Sequence, residues 1–298
     1  MTTAVRKQEK PKRIREAKSA RINRSLGGTV AIFVFLALAS AFMLLPIVYT
    51  VVTSLKPMNE IFLYPPRFWV QNPTMSNFST MAELAGELWV PFERYLFNSV
   101  IVAVLGTVLY IFIASMAAYP LAKRHTKGMS IYYTFVVLAI MFRPEVTQIP
   151  LYIIMAKLGL INTYAALICP IVSGTLGVFL MRQFMETVPD DIIESARIDG
   201  AGEFRIFFRM IMPMVKPAWL TLIIFTFQSL WSTVDTTYIY DESMKTLPTV
   251  LQQISSAGIA RAGAGAAVAL VLMIPPVVVF VISQSSVMET MAYSGMKG

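Results

Sequence analysis

Long apolar runs separated by short polar stretches dominate the chain. Six of them, near residues 29–53, 96–119, 131–152, 164–185, 218–240 and 264–283, each reach 20 residues or more. About 20 helical residues cross the hydrocarbon core of a bilayer. Backbone polar groups in lipid must be satisfied within the segment, so each run is expected to be a helix. Pro46, Pro144, Pro150, Pro170, Pro275 and Pro276 fall inside the runs. They predict kinks, because neighbouring helices can satisfy the carbonyls that a proline frees. The pattern therefore predicts an all-α polytopic membrane protein with six transmembrane helices.

Composition supports that solvent: 56% of the 298 residues are hydrophobic and 14% are charged, far from the balance of a soluble domain. The distribution of charge sets the orientation. Six spans put both termini on one side, together with the loops 120–130 and 186–217. Counting Arg182 at the edge, that side holds 18 of the 25 basic residues. The other side holds Lys56, Arg67, Arg94, Lys157, Lys245 and Arg261, and Arg143 lies within a span. The positive-inside rule then places both termini in the cytoplasm. Residues 1–28 read as a basic cytoplasmic tail that sets topology and meets anionic membrane lipid; residues 29–298 read as the transmembrane domain. The first apolar run is too long for a signal-peptide core and has no small-residue cleavage site, so it reads as an uncleaved span. The net charge of +8 does not point to nucleic acid, since no basic patch is interleaved with aromatics. Cys169 is the only cysteine, so no intrachain disulfide forms. In the loop 54–95, Trp69, Trp89 and several prolines suggest short helices lying on the membrane surface.

The loop 186–217 has more order than a connector needs. Pro189 followed by Asp190, Asp191 and Glu194 is a helix start, with acidic groups in the first turn facing the positive end of the macrodipole. Ile193, Ala196 and Ile198 are expected to form a small apolar face. Gly200 fits the position just past a helix end, where a left-handed backbone is needed. A second helix from about Gly202 carries Phe204, Phe207 and Phe208, with Arg205 and Arg209 on its polar side, until Pro213 stops it. Physics alone leaves two readings open: an amphipathic helix resting on the membrane interface, or a protein-docking element.

The residues themselves carry a resemblance. Glu194-Ser195-Ala196, then Gly200, then Met210-Ile211-Met212-Pro213 is similar to the "EAA" coupling loop of ABC importer permeases, with spacing intact. Ser195, Met210 and Met212 depart from the usual Ala, Ile and Leu. Asn98-Ser99, Ala118-Tyr119-Pro120-Leu121-Ala122, the run from Leu158 to Tyr164, Ala196 to Ala201 and the final Gly295-Met296-Lys297-Gly298 also resemble carbohydrate-type permeases. The similarity is greatest to the smaller permease of maltose-type importers. It implies a bacterial cytoplasmic membrane protein that moves oligosaccharides inward. It also implies a second, homologous permease subunit, two ATPase subunits, an extracytoplasmic solute-binding protein, and a coupling helix between spans four and five. The coupling residues would be Glu194, Ser195, Ala196, Asp199, Gly200, Phe204 and Pro213. ATP and magnesium would bind the ATPase subunits, because this chain has no phosphate loop. It carries no catalytic residue, cofactor or metal of its own. The glycines Gly263 and Gly265 begin the last span without a following lysine and are expected to let helices pack closely.

Polar residues at membrane depth are the remaining candidates. Arg143 and Glu145 flank Pro144, with Gln148 nearby. They read either as an ion pair near water or as a translocation path where Arg143 meets an acidic sugar. Gln228, Trp231 and Asp235, with Ser232, Thr233, Thr236 and Tyr238, offer the aromatic faces and hydroxyls a sugar needs. They also fit an interfacial belt with packing contacts. In maltose-type systems the partner permease holds much of the substrate. His125 beside Lys123 and Arg124 reads as a solvated loop residue. The alternatives to a sugar permease are an ABC permease for another solute, such as polyamine or phosphonate, a secondary transporter, and a membrane scaffold.

Overall fold

The computed structural model describes residues 26–86, 90–124, 126–235, 237–255 and 261–294. Their regular structure is helical throughout. In order come α1 (Leu26–Ser54), α2 (Met58–Ile61), α3 (Ser76–Gly86), α4 (Phe92–Lys123), α5 (Lys127–Ile140), α6 (Pro144–Lys157), α7 (Tyr164–Val172) and α8 (Thr175–Glu186). There follow α9 (Asp190–Ile198), α10 (Glu203–Ile206), a π-helical turn (Phe207–Ile211), α11 (Met212–Met214) and α12 (Lys216–Ser232). A 3₁₀ turn (Glu242–Met244), α13 (Leu247–Ser255) and α14 (Ala262–Ser294) complete the chain. The tail to residue 25, His125, Thr236 and the motif 295–298 lie outside the described residues. The chain divides into two compact units, Met1–Val48 and Tyr49–Gly298. The described part of the first is the run of α1 up to Val48; the second holds the rest.

Among the described residues three helices, α1, α4 and α14, are long and apolar enough to cross a membrane. The count rises to five if two bent pairs each make one span. The protein is thus an all-helical polytopic membrane protein with three to five candidate spans. The third run, expected as one kinked helix over 131–152, is instead broken. Arg143 is extended (φ −77°, ψ 141°) and Pro144 opens α6. The residue before a proline avoids the helical region, and proline is well placed in a first turn. The fourth run bends by 43° between α7 and α8. The fifth stops at Ser232, and residues 233–235 and 237–240 are not helical. Pro46, Pro150, Pro170, Pro275 and Pro276 lie inside helices. The long loop after α1 does hold the two short helices α2 and α3.

One helix organises the second unit. Along α4, Tyr95 enters a cluster with Leu247, Val250, Leu251, Ile254 and Val268. Val102 and Ala103 enter a second with Leu167, Ile168, Leu230, Trp231 and Ile239. Tyr110, Ala118 and Ala122 enter a third with Met181, Met185, Ile206, Phe207, Ile211 and Leu222. Small residues permit the approach. A Cβ on Gly106 would lie 2.6 Å from a methyl of Leu230, and one on Gly177 would lie 2.7 Å from the Tyr110 ring. Gly263 gives way in the same manner to Asn77, whose Oδ1 would be 2.2 Å from an added Cβ. Close packing of small residues is how helices associate where lipid removes the hydrophobic drive.

Buried polar groups fix the Tyr95 end of α4. The fully buried Asn98 amide donates to the carbonyls of Ser243 (2.9 Å) and Lys245 (2.8 Å) and accepts from the Tyr164 hydroxyl (2.7 Å). The Leu247 N–H donates to Ser99 Oγ at 2.7 Å. Nearby, Asn77 donates to the carbonyls of Ser54 and Lys56, and the Lys56 ammonium donates to the Arg67 carbonyl. Glu60 accepts the N–H groups of Gln71 and Asn72, and that of Gln71 most of all holds its carboxyl below the usual carboxylate range.

The break between α7 and α8 has a specific brace: the Gly177 N–H donates to the Tyr110 hydroxyl at 2.6 Å. Tyr110→Phe leaves that buried donor unpaired and should destabilise the protein by about 1–3 kcal/mol. Gly177→Ala should cost a similar ~1–3 kcal/mol by overpacking. Thermal denaturation in detergent checks both, and unchanged midpoints would remove Tyr110 as the brace.

Candidate functional site

The segment from α9 to α12 is built to hold one helix at a fixed angle. Pro189 (φ −60°, ψ 136°) precedes Asp190 and Asp191 in the first turn of α9, and Arg197 sits in the last. The C-terminus is a complete Schellman motif. The Gly200 N–H reaches the Arg197 carbonyl (3.0 Å), and the Ala201 N–H reaches the Ala196 carbonyl (2.9 Å). Gly200 takes the left-handed conformation expected of it, with φ +80°. A Cβ there would meet nothing within 4 Å, so the need for glycine is conformational alone.

Ile193 and Ala196 are the buried face of α9, packed with Met181, Met185, Ile206 and Phe207. Ile198 does not join them; it is 87% exposed. Five residues separate it from Ile193, and at 3.6 residues per turn that places it on another side. Glu194, Ser195, Asp199, Gly200 and Pro213 are exposed, while Ala196 is buried. Of the aromatics in the second helix, Phe207 is buried with its ring 5.4 Å from that of Tyr119. Phe208 stacks near Phe112 at 6.3 Å. Phe204 is 72% exposed and lines a groove of about 300 Å³ with Met116, Tyr119 and Arg124. The second helix has a register change that the sequence reading missed. The Met212 N–H bonds to the Phe207 carbonyl in a π turn. Pro213 has no N–H of its own to offer the preceding turn. The helix persists through Met214, and a 77° bend leads into α12.

Two charged contacts tie this segment to α4, and neither was singled out from sequence. Lys123, with only 6% of its side chain exposed, pairs with Asp190 at 2.8 Å and also donates to the Val188 carbonyl. Glu203 accepts from the Tyr119 hydroxyl (2.9 Å) and from Arg197 (2.8 Å). Tyr119 lies in a quoted motif and Lys123 adjoins it, but the lone sequence gives no sign of their distant partners.

Of the candidates at membrane depth, Gln148 and Tyr238 line one cavity and Gln228 and Ser232 another, and the described candidates do not converge on a single site. Arg143 sits exposed at the start of α6; the side chain of Glu145 lies outside the described residues. Gln148 faces a cavity beside the α7–α8 break. Gln228 faces another, of about 410 Å³, lined by α12 and α14. Trp231 is buried, stacked on Phe227, and donates its indole N–H to the Leu272 carbonyl at 3.0 Å. Asp235 is buried and accepts the N–H groups of Thr237, Tyr238 and Ile239 at 2.7–3.1 Å. Its carboxylate organises the turn after α12.

Comparison with known proteins identifies the family and the fold. Residues 110–288 match the family model described as "Binding-protein-dependent transport system inner membrane component". The arabinooligosaccharides transport system permease protein AraQ of Bacillus subtilis (strain 168) is 29% identical, over 90% of this chain and 96% of the relative. The melibiose/raffinose/stachyose import permease protein MelC of the same organism is 30% identical, over 67% of this chain and 75% of the relative. A crystal structure of a bacterial ABC transporter that imports the acidic polysaccharide alginate shares the fold. Its TM-score is 0.72 at 19% identity, over 88% of this chain and 98% of that one.

The two ion pairs that hold the ends of α9, Lys123 of α4 with Asp190 and Arg197 with Glu203 of α10, should differ in weight. Lys123→Ala removes a desolvated ammonium and leaves the Val188 carbonyl without its donor, so it should loosen α9 by about 1–3 kcal/mol. Arg197→Ala breaks a half-exposed pair that solvent screens, and should loosen α9 less than Lys123→Ala does. Hydrogen exchange of the 190–200 amides measures both; equal acceleration would refute the ranking. The chain that presents α9 in this way belongs to the binding-protein-dependent transport system inner membrane component family. It is a non-catalytic, multi-pass permease subunit of an ABC importer in the cytoplasmic membrane, which sets aside the secondary transporter and the scaffold.

Proposed function

We propose that this permease moves oligosaccharides into the cytoplasm and that α9 is its coupling helix, docked in a surface cleft of an ATPase subunit. The observation that carries the coupling assignment is the presentation of α9. Its buried face and both its ends are bound to the rest of the chain, while Glu194, Ser195, Asp199 and Ile198 are exposed. A helix held this way transmits a push without yielding. ATP and magnesium belong to the ATPase subunits. A second homologous permease and an extracytoplasmic solute-binding protein complete the assembly, in keeping with the family's dependence on binding proteins. The relatives named for arabinooligosaccharides and for melibiose, raffinose and stachyose support a sugar substrate over polyamine or phosphonate.

The topology that goes with this reading has six crossings and cytoplasmic termini. The third is made by α5 with α6, the fourth by α7 with α8, and the fifth by α12. The division of 18 basic residues against 6 supports it. In a Cys169→Ser background, Thr126→Cys should be shielded from an impermeant maleimide in intact cells, and Met75→Cys should react. Rapid labelling at 126 would overturn the topology.

Coupling is tested at the Schellman glycine. A side chain in the left-handed region costs about 1–2 kcal/mol, and relaxing it would swing α10 and the phenylalanines away from α4. Gly200→Asp, and Glu194→Lys by charge reversal at the dock, should leave the permease in the membrane. Each should lower ATPase co-purification or the sugar imported per ATP hydrolysed by roughly 5-fold or more. Normal co-purification, hydrolysis and uptake in both variants would exclude this loop as the coupling element.

A further inference from the structure

We propose that a cavity of about 670 Å³ beside the two helix breaks is a solute subsite on this chain, fitted to a neutral, hydroxyl-rich sugar ring. The inference rests on the carbohydrate reading above and adds a place and a ligand class to it.

The first argument is juxtaposition. Phe142, in the gap between α5 and α6, and Ser173 and Gly174, in the gap between α7 and α8, line the same cavity. Non-helical backbone at membrane depth is tolerated where it is buried in protein or lines a water-filled space. Two such gaps opening on one space mark it as a polar space and not a packing fault. Discontinuous helices of this kind form the binding sites of many transporters.

The second argument is chemistry. The polar lining is Thr147, Gln148, Ser173, Thr175, Ser229 and Tyr238. Hydroxyls both donate and accept, and the amide does each at different atoms, which matches the ambivalent hydroxyls of a sugar. The Tyr238 ring, stacked with Tyr152 at 6.1 Å, and Phe142 and Leu151 supply apolar surface for ring faces. Among the described residues no charged side chain lines the cavity, so a carboxylate there would lose its hydration without an opposite charge. The volume falls within the range of small-molecule sites.

The third argument is rigidity. Tyr110 pins Gly177, and the Ser173 hydroxyl donates to the Pro170 carbonyl at 2.9 Å. A Cβ on Gly174 would come within 2.9 Å of the Ile171 carbonyl oxygen. The gap is held open by local bonds, as a preorganised site requires.

The test uses the whole transporter in proteoliposomes: this permease, its partner permease, the ATPases and the binding protein. The probes are labelled raffinose, arabinotriose and maltotriose as neutral sugars, and trigalacturonate as an acidic one. Ser229→Leu fills the cavity and should cut neutral-sugar uptake by ~10-fold or more, while Ser229→Ala and Gln148→Leu should each raise the half-saturating concentration by roughly 3- to 10-fold. Subunit recovery and sugar-free ATP hydrolysis should stay at the wild-type level. If Ser229→Leu prevents assembly, the two milder variants decide. Wild-type kinetics in both of these overturns the subsite and leaves the permease reading intact. Uptake of trigalacturonate alone, lost on Arg143→Gln, overturns the neutral ligand class. A wild-type transporter that carries none of the four sugars defeats the carbohydrate reading, and the subsite with it.

Discussion

In an apolar solvent every backbone N–H and carbonyl needs a partner within the protein, and the fold is arranged around the places where helices cannot supply one. The brace at the α7–α8 break shows how. One helix ends at Val172 and another starts behind Gly174 inside a single apolar run, which strands the first N–H groups of α8. Tyr110, from the middle of α4, places its hydroxyl against one of them at 2.6 Å. That requires α4 and α8 to touch, and the touch is possible because position 177 has no side chain. One hydrogen bond thus fixes the distance between the two helices that enclose the third apolar cluster.

The same helix carries that constraint in both directions. Toward Tyr95, Asn98 and Ser99 hold the chain that follows α12, so the turn built on Asp235 is anchored to α4 through the 3₁₀ turn and α13. Toward Lys123, the ammonium holds the start of α9 and the Tyr119 hydroxyl holds Glu203 at the start of α10. A displacement of α9 therefore meets α4 at two points before it meets α12. The π turn between them is the softer member, since its bonds skip a residue and Pro213 contributes none.

Much of this was legible in the sequence wherever a local rule governed. The long apolar runs located α1, α4 and α14. Pro189, the acidic first turn and Gly200 located α9 and its end, because capping depends on a few adjacent residues. The failures share a cause. Arg143-Pro144 was read as a kink because composition alone does not weigh the extended conformation that proline imposes on its predecessor against the pull of lipid. Asp235 and Trp231 were left between sugar-facing chemistry and belt or packing contacts, and the sequence did not decide: one caps three backbone N–H groups and the other bonds across to α14. Their partners lie on other elements or on a turn that no apolar pattern reveals. Ile198 was placed on the buried face by its hydrophobicity, and helical geometry overruled it. The roles of Lys123, Tyr119 and Asn98 stayed hidden for the same reason: their partners lie 67 to 145 positions away.

The motif of the α9 loop separates, on the structure, into two sets of residues with different physical duties. Ala196, Ile211 and the half-buried Met210 and Met212 pack into the cluster with Met181, Met185 and Leu222. Their duty is volume, which explains why methionine can stand where isoleucine or leucine is usual: flexible side chains of similar size fill the same space at little cost. Ser195 is exposed and turns its hydroxyl back to the Ile192 carbonyl at 3.0 Å, so a serine in place of alanine neither enlarges the buried face nor leaves a polar atom stranded. Glu194 and Asp199 are exposed and, among the described residues, pack against nothing that would demand their identity. Gly200 joins the two sets, since its backbone angle decides how the packed residues aim the exposed ones. A substitution in the packing set changes stability first. One at the glycine changes the angle between the packed and the exposed residues, and under the coupling role proposed above one in the exposed set would change association first.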